Sequence, residues 1–78
     1  MKRVTLYSAR GCHLCDRARE VLEAVRADVA FDLDEIDITD DPELEGRYRE
    51  WLPVVEIDGA RAFVYFVPPD ALRRKVAS

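Results

Sequence analysis

Residues 10–20, RGCHLCDRARE, hold both cysteines of the chain, Cys12 and Cys15, and its only histidine, His13, between them. The residues before this stretch read as a strand and those after it as a helix, so the cysteines fall where one element gives way to the next. Residues 2–8 alternate, with Val4 and Leu6 on one face and Thr5 and Tyr7 on the other. A loop over residues 9–11 leads into a helix that begins near Cys12. Leu14, Ala18, Val21, Leu22 and Val25 recur there at helical spacing, while Arg17, Arg19, Glu20, Glu23 and Arg26 fall elsewhere. Arg19 and Glu23, four apart, are expected to form a small surface pair.

Working outward, residues 31–38 (FDLDEIDI) read as a second strand, but strict alternation slips at Asp34 and Glu35. An irregular or edge strand is the expectation. A short helix begins at Pro42, with Asp41 as its N-cap and Gly46 weakening it. In residues 52–66 (LPVVEIDGARAFVYF) two β-rich runs flank Asp58 and Gly59, a dipeptide suited to a tight hairpin turn with positive φ. Pro68 and Pro69 punctuate, and Asp70 caps or enters a last helix through Ala77. The order is β-α-β-α-β-β-α. The first crossover makes strands one and two parallel and the last two strands a hairpin. This is the α/β layout of the smallest thioredoxin-like domains.

A cysteine at a helix start faces free backbone N–H groups and the positive end of the dipole, and both favour thiolate over thiol. Such sites lower a cysteine pKa from about 8.5 into a range of roughly 3.5–7.5. Cys12 is best placed for this. Cys15, one turn deeper on the same side, can bring its sulfur to Cys12. That spacing suits two-step exchange, in which Cys12 attacks a disulfide and Cys15 then displaces the mixed disulfide. His13 and Arg10 are candidates for favouring the thiolate, and Asp16 works against them. A structural zinc ion wants four ligands, and two cysteines with an adjacent histidine fall short, so no metal ligand is assigned. The residues leave three other readings open: a buried structural pair, a non-enzymatic metal or iron–sulfur carrier sharing a cluster between two copies, and a redox-sensing interaction module.

At 78 residues the chain is one domain, 1–78, which at this size buries about 60–65% of its extended-chain surface. Hydrophobic residues make up 49%, enough for an ordinary core, and there is no internal repeat. The net charge of −4 argues against nucleic acid. Between Arg26 and Arg47 stand nine acids and no base, and Arg73, Arg74 and Lys75 come near the end. These runs read as solvated surface or, more sharply, as a docking face for a charged protein. The opening residues lack the apolar core of a signal peptide and no later segment reaches membrane-spanning length. The expectation is a cytoplasmic monomer with no membrane partner, in a reducing compartment where two close cysteines point to catalysis or metal binding.

On VTLYSARGCHLCDRA (4–18), LDEIDIT (33–39) and LPVVEIDG (52–59), the chain resembles the glutaredoxins, and most closely a small bacterial glutaredoxin-like group with a C-H-L-C motif. The resemblance implies a thioredoxin fold with a four-stranded mixed sheet flanked by helices. It implies a small thiol–disulfide oxidoreductase in which Cys12 is the nucleophile, Cys15 the resolving thiol, and the two form a redox-active disulfide. Its partners would be a protein disulfide substrate or a reductase, or glutathione mixed disulfides. Pro53 matches the family's cis proline, before which Leu52 would present its backbone to an extended substrate. Two departures stand out. Trp51 replaces a threonine of the family, as a substrate-contact aromatic or as helix-end packing. Where glutathione-binding members carry two glycines and then Asp, this chain has YFVPPD (65–70). No cofactor is expected, and glutathione at most as a co-substrate without the family's usual binding mode.

Overall fold

The computed structural model describes residues 1–77. Strand β1 (Arg3–Ser8) keeps its alternation: Val4, Leu6 and Ser8 are buried, and Thr5 and Tyr7 half-buried. Helix α1 (His13–Arg26) buries Ala18, Leu22 and Val25 of the stripe that its periodicity predicts, together with Cys15, while Leu14 and Val21 of that stripe stay half-buried. Strand β2 (Asp32–Asp37) pairs with β1 in parallel, from Arg3 opposite Asp32 to Ser8 opposite Asp37, without a break in register.

The slip at Asp34 and Glu35 therefore has a different cause from a bulge. Glu35 shares a face of β2 with Leu33, which packs into the core beside α1. Arg19 reaches across from α1 and takes the Glu35 carboxylate through two hydrogen bonds, of 2.6 and 2.5 Å. A carboxylate stands where alternation expects an apolar side chain because a guanidinium from the covering helix meets it. Arg19 is accordingly partnered by Glu35 and by Asp16 (2.9 Å), not by Glu23.

Helix α2 (Pro42–Tyr48) starts where Pro42 and Asp41 place it, the Asp41 carboxylate accepting from Leu44 N–H at 3.1 Å. It runs on into a 3₁₀ turn, Arg49–Trp51. Strands β3 (Val54–Ile57) and β4 (Ala60–Val64) form the hairpin, and Asp58 (φ 51°) and Gly59 (φ 84°) both take the left-handed turn conformation. The Asp58 carboxylate accepts from Arg3 N–H at 2.9 Å, which ties the turn to the start of β1. The sheet's one register shift falls in this hairpin, between Val55 and Glu56. Helix α3 (Pro69–Ala77) starts at Pro69, so Asp70 enters its first turn, where a carboxylate favours the dipole.

The sheet order is β2-β1-β3-β4, with β3 antiparallel to both neighbours, and β2 is an edge strand as expected. One core joins Val4, Leu6 and Val55 of the sheet to Ala18, Leu22 and Val25 of α1 and to Leu72 and Val76 of α3. A smaller core on the other face joins Val54 to Ile38 and Tyr48, with Tyr7 stacked on Tyr48 at 4.2 Å between ring centroids. The Tyr48 hydroxyl donates to Glu56 at 3.1 Å, and burial pushes its pKa up to about 12. Helices cover both faces of a mixed sheet, the three-layer solution for an α/β chain.

Candidate redox site at the start of helix α1

Gly11 supplies the turn into the site. Its φ of +74° is a conformation that side-chain-bearing residues rarely take. Cys12 then sits at the N-cap with extended backbone, and its Sγ accepts the Cys15 N–H at 3.1 Å. That donor is one of the unpaired N–H groups of a helix's first turn, aimed at a sulfur rather than at the oxygen of a usual cap residue. Cys12 and Cys15 are joined as a disulfide, their Cα atoms 5.2 Å apart. The two differ in access: Cys12 is half-buried, whereas Cys15 is 0% exposed.

The charged candidates do not gather at the sulfur. Arg10 faces the loop after β2, with its guanidinium 3.1 Å from Asp40 and 3.9 Å from Asp37 and its N–H on the Thr39 hydroxyl at 3.2 Å. Hydrogen bonds from Thr39, with Arg10 adding less, hold the Asp37 carboxyl below the usual carboxylate range. His13 is the exposed first residue of α1, and its side chain makes no hydrogen bond or ion pair with the described residues. Asp16 has its charge met by Arg19. Among the described residues no three His, Cys, Asp or Glu side chains lie close enough to hold a metal ion.

The Leu52–Pro53 peptide is cis and Pro53 is fully buried. Tyr65 N–H donates to the Pro53 carbonyl at 3.0 Å, and the Tyr65 hydroxyl donates to the Glu50 carbonyl at 2.9 Å. These two bonds hold Tyr65 at φ 67°, a left-handed conformation uncommon outside glycine, next to Phe66 and Val67. Val67 is buried, while Phe66 is 68% exposed. Trp51 is 41% exposed, tilted against Tyr65 at 6.3 Å, with the Arg61 guanidinium 5.9 Å over its ring. It therefore belongs both to a helix-end packing cluster and to the surface.

Sequence reasoning missed the brace behind the site. Ser8, the buried end of β1, donates its hydroxyl to Glu35 at 2.9 Å, and Arg19 joins Glu35 to Asp16 on the first turn of α1. The Arg19 hydrogen bonds hold the Glu35 carboxyl below its usual value, with Ser8 adding to them against partial burial. The same bonds raise the Arg19 guanidinium above its ordinary value. The visible signal was the slip at Asp34 and Glu35. Its partner was not visible, since Arg19 and Glu35 stand 16 residues apart. Of the nine acids between Arg26 and Arg47, five meet an arginine: Asp28 with Arg73, Asp34 with Arg3, Glu35 with Arg19, and Asp37 and Asp40 with Arg10. The acidic run is in large part an internal charge lattice.

A mixed four-stranded sheet, helices on both faces, and a C-x-x-C pair at the start of the first helix define the thioredoxin-fold class of α/β proteins. Residues 3–77 match the family described as the glutaredoxin-like domain (DUF836), and the chain belongs to it. It is similar to the uncharacterized protein Rv0508 of Mycobacterium tuberculosis, 32% identical over 95% of this chain and 81% of that one. Among solved structures it is similar to the protein XcR50 of X. campestris, with a TM-score of 0.79, 32% identity and 95% of each chain covered. Chloroplastic thioredoxin z shares the fold, with a TM-score of 0.76 at 22% identity over 99% of this chain and 76% of that one.

Proposed function

We propose that this chain is a thiol–disulfide oxidoreductase acting on protein disulfides or glutathione mixed disulfides. The observation that carries the reading is the asymmetry of the pair: Cys12 accepts a helix-start N–H and is half-buried, while Cys15 is closed off beneath it. In the reduced protein the same N–H group favours a Cys12 thiolate. That thiolate attacks one sulfur of the substrate disulfide. A Cys12–substrate bond forms, the substrate bond breaks, and the other substrate sulfur leaves as a thiolate that takes up a proton. Cys15 then loses its proton and attacks Cys12 Sγ, closing the Cys12–Cys15 disulfide and releasing the second substrate thiol. Two electrons pass to the substrate, and a thiol or dithiol reductant returns the pair to its reduced state.

Leu52, before the buried Pro53, would pair with an extended substrate segment, and Trp51 would border it. Because Asp37 and Asp40 take up the charge of Arg10, the helix start itself is the main support for the thiolate. Bulk at 65–68 works against the family's usual glutathione mode, so glutathione enters as a reductant or as one half of a mixed disulfide. A pair used in its reduced form suits a reducing compartment such as the cytoplasm.

Cys12→Ser and Cys15→Ser variants test the reading in a protein-disulfide reduction assay, with mass spectrometry of the products. Cys12→Ser is expected to fall to background, and Cys15→Ser to accumulate a mixed disulfide on Cys12. Full activity in both variants would sink it.

A further inference from the structure

Helix α1 and residues 65–68 enclose a groove of about 230 Å³, lined chiefly by Leu14, Val21, Tyr65, Phe66 and Pro68, with Arg17 among them. It begins inside the C-x-x-C motif, since Leu14 lies between the two cysteines. Its volume is below the roughly 300–1,000 Å³ of small-molecule pockets. That size suits one or two inserted side chains rather than a whole small molecule. The exposed Phe66 ring stands at the rim of an apolar surface that nothing in the chain covers among the described residues.

Arg17 is the second feature. Arg3, Arg10, Arg19 and Arg73 all meet carboxylates within the chain. The Arg17 side chain makes no ion pair or hydrogen bond with any described residue, and Glu20, one turn further along α1, does not reach it. Arg61, over Trp51 on the other side of Tyr65, likewise has a ring but no carboxylate among the described residues. Arg26, Arg47, Arg49 and Arg74 also meet no carboxylate among the described residues, but of these arginines only Arg17 lines the apolar groove. Charge complementarity calls for an acid from outside.

We propose that the groove docks a protein substrate segment that carries an apolar side chain and a carboxylate close to its redox cysteine. The apolar side chain enters between Phe66 and Leu14, and the carboxylate pairs with Arg17. The inference rests on the dithiol-exchange reading, because a cysteine bound to Cys12 is what brings such a segment to Leu14. Glutathione has carboxylates but no apolar side chain, so it meets only half of the requirement.

The test uses short peptides of one design, Leu-Glu or Leu-Lys beside a central residue, with serine in place of cysteine for binding by NMR titration. The wild-type protein is expected to favour the Leu-Glu peptide by about fivefold, the size of one exposed ion pair. Arg17→Glu is expected to invert that preference, and Phe66→Ser to weaken both peptides by about tenfold through lost apolar contact. The charge swap compares two peptides on one protein, so it does not depend on cysteine reactivity. Turnover of a small dialkyl disulfide is measured in parallel. Peptides bound without charge preference, or resonance shifts away from Leu14 and Phe66, overturn the groove even where turnover is normal. An intact, invertible preference without turnover upholds the groove and overturns the exchange reading. A concentration-dependent dimer abolished by Phe66→Ser assigns the groove to a second copy of the chain and overturns the proposal.

Discussion

On one flank of helix α1, Arg19 is locked between Glu35 and Asp16, and Glu35 in turn holds the Ser8 hydroxyl. On the other flank, two residues earlier in the chain, Arg17 stands beside Leu14, Val21 and Phe66 with no acid of its own. The same residue type thus does two jobs on one helix. The first arginine fastens the helix that carries the cysteines to the strands beneath it. The second leaves its charge facing outward beside an apolar groove. A charge consumed internally stabilises geometry, whereas one left over beside apolar surface is available for recognition.

The largest expected effect sets the scale for both flanks. Leu22 lies on the buried face of α1 and is 0% exposed. Leu22→Ala is expected to cost about 2–5 kcal/mol through lost contact and a residual cavity. That is a large part of the roughly 4–12 kcal/mol available to 78 residues. Urea unfolding with an unchanged m-value would show it.

On the fastened flank, Arg19→Ala or Glu35→Gln is expected to cost about 0.5–1.5 kcal/mol, since two charge-assisted bonds are offset by solvent screening of side chains about one-third exposed. The sign of the pH dependence is set by Glu35, whose folded pKa lies below its ordinary 4.5 because of the Arg19 hydrogen bonds. Its contribution is complete above pH 4.5 and fades as pH falls through the lower folded value. Urea midpoints taken from neutral to acid pH should therefore decline less steeply for Glu35→Gln than for the parent. Equal slopes would mean that the brace contributes nothing.

The smallest effect is expected on the open flank. Arg17→Gln should leave stability within about 0.5 kcal/mol, because no partner is lost. A cost as large as that of Arg19→Ala, read from the same urea curves, would show that Arg17 is fastened too and remove the contrast.

Local features were legible in the sequence because each is decided within a few residues. The cap at Asp41, the Asp58 and Gly59 turn and the cysteines at a helix start all depend on backbone groups three or four positions away. The helix stripe through Leu22 was legible for the same reason. Long-range pairing was not. Arg19 pointed by spacing to Glu23 and found Glu35 instead, because the crossover lays β2 beside β1 under the helix. Arg10 was a candidate partner for the Cys12 thiolate and turned to Asp37 and Asp40, brought near by the same crossover. Tyr65 gave no sign of its left-handed backbone, since that conformation is held by bonds to Pro53 and Glu50, 12 and 15 residues distant.

By itself the sequence determined the order of elements and the placing of two thiols at the positive end of a helix, both consequences of short-range periodicity and capping, while its motifs carried the resemblance to the family. Only the tertiary structure decided which thiol is accessible, which arginines are neutralised and which side of α1 remains open. Those properties depend on which surfaces the folded sheet brings within a few ångströms, and electrostatic and apolar contacts act only at that range.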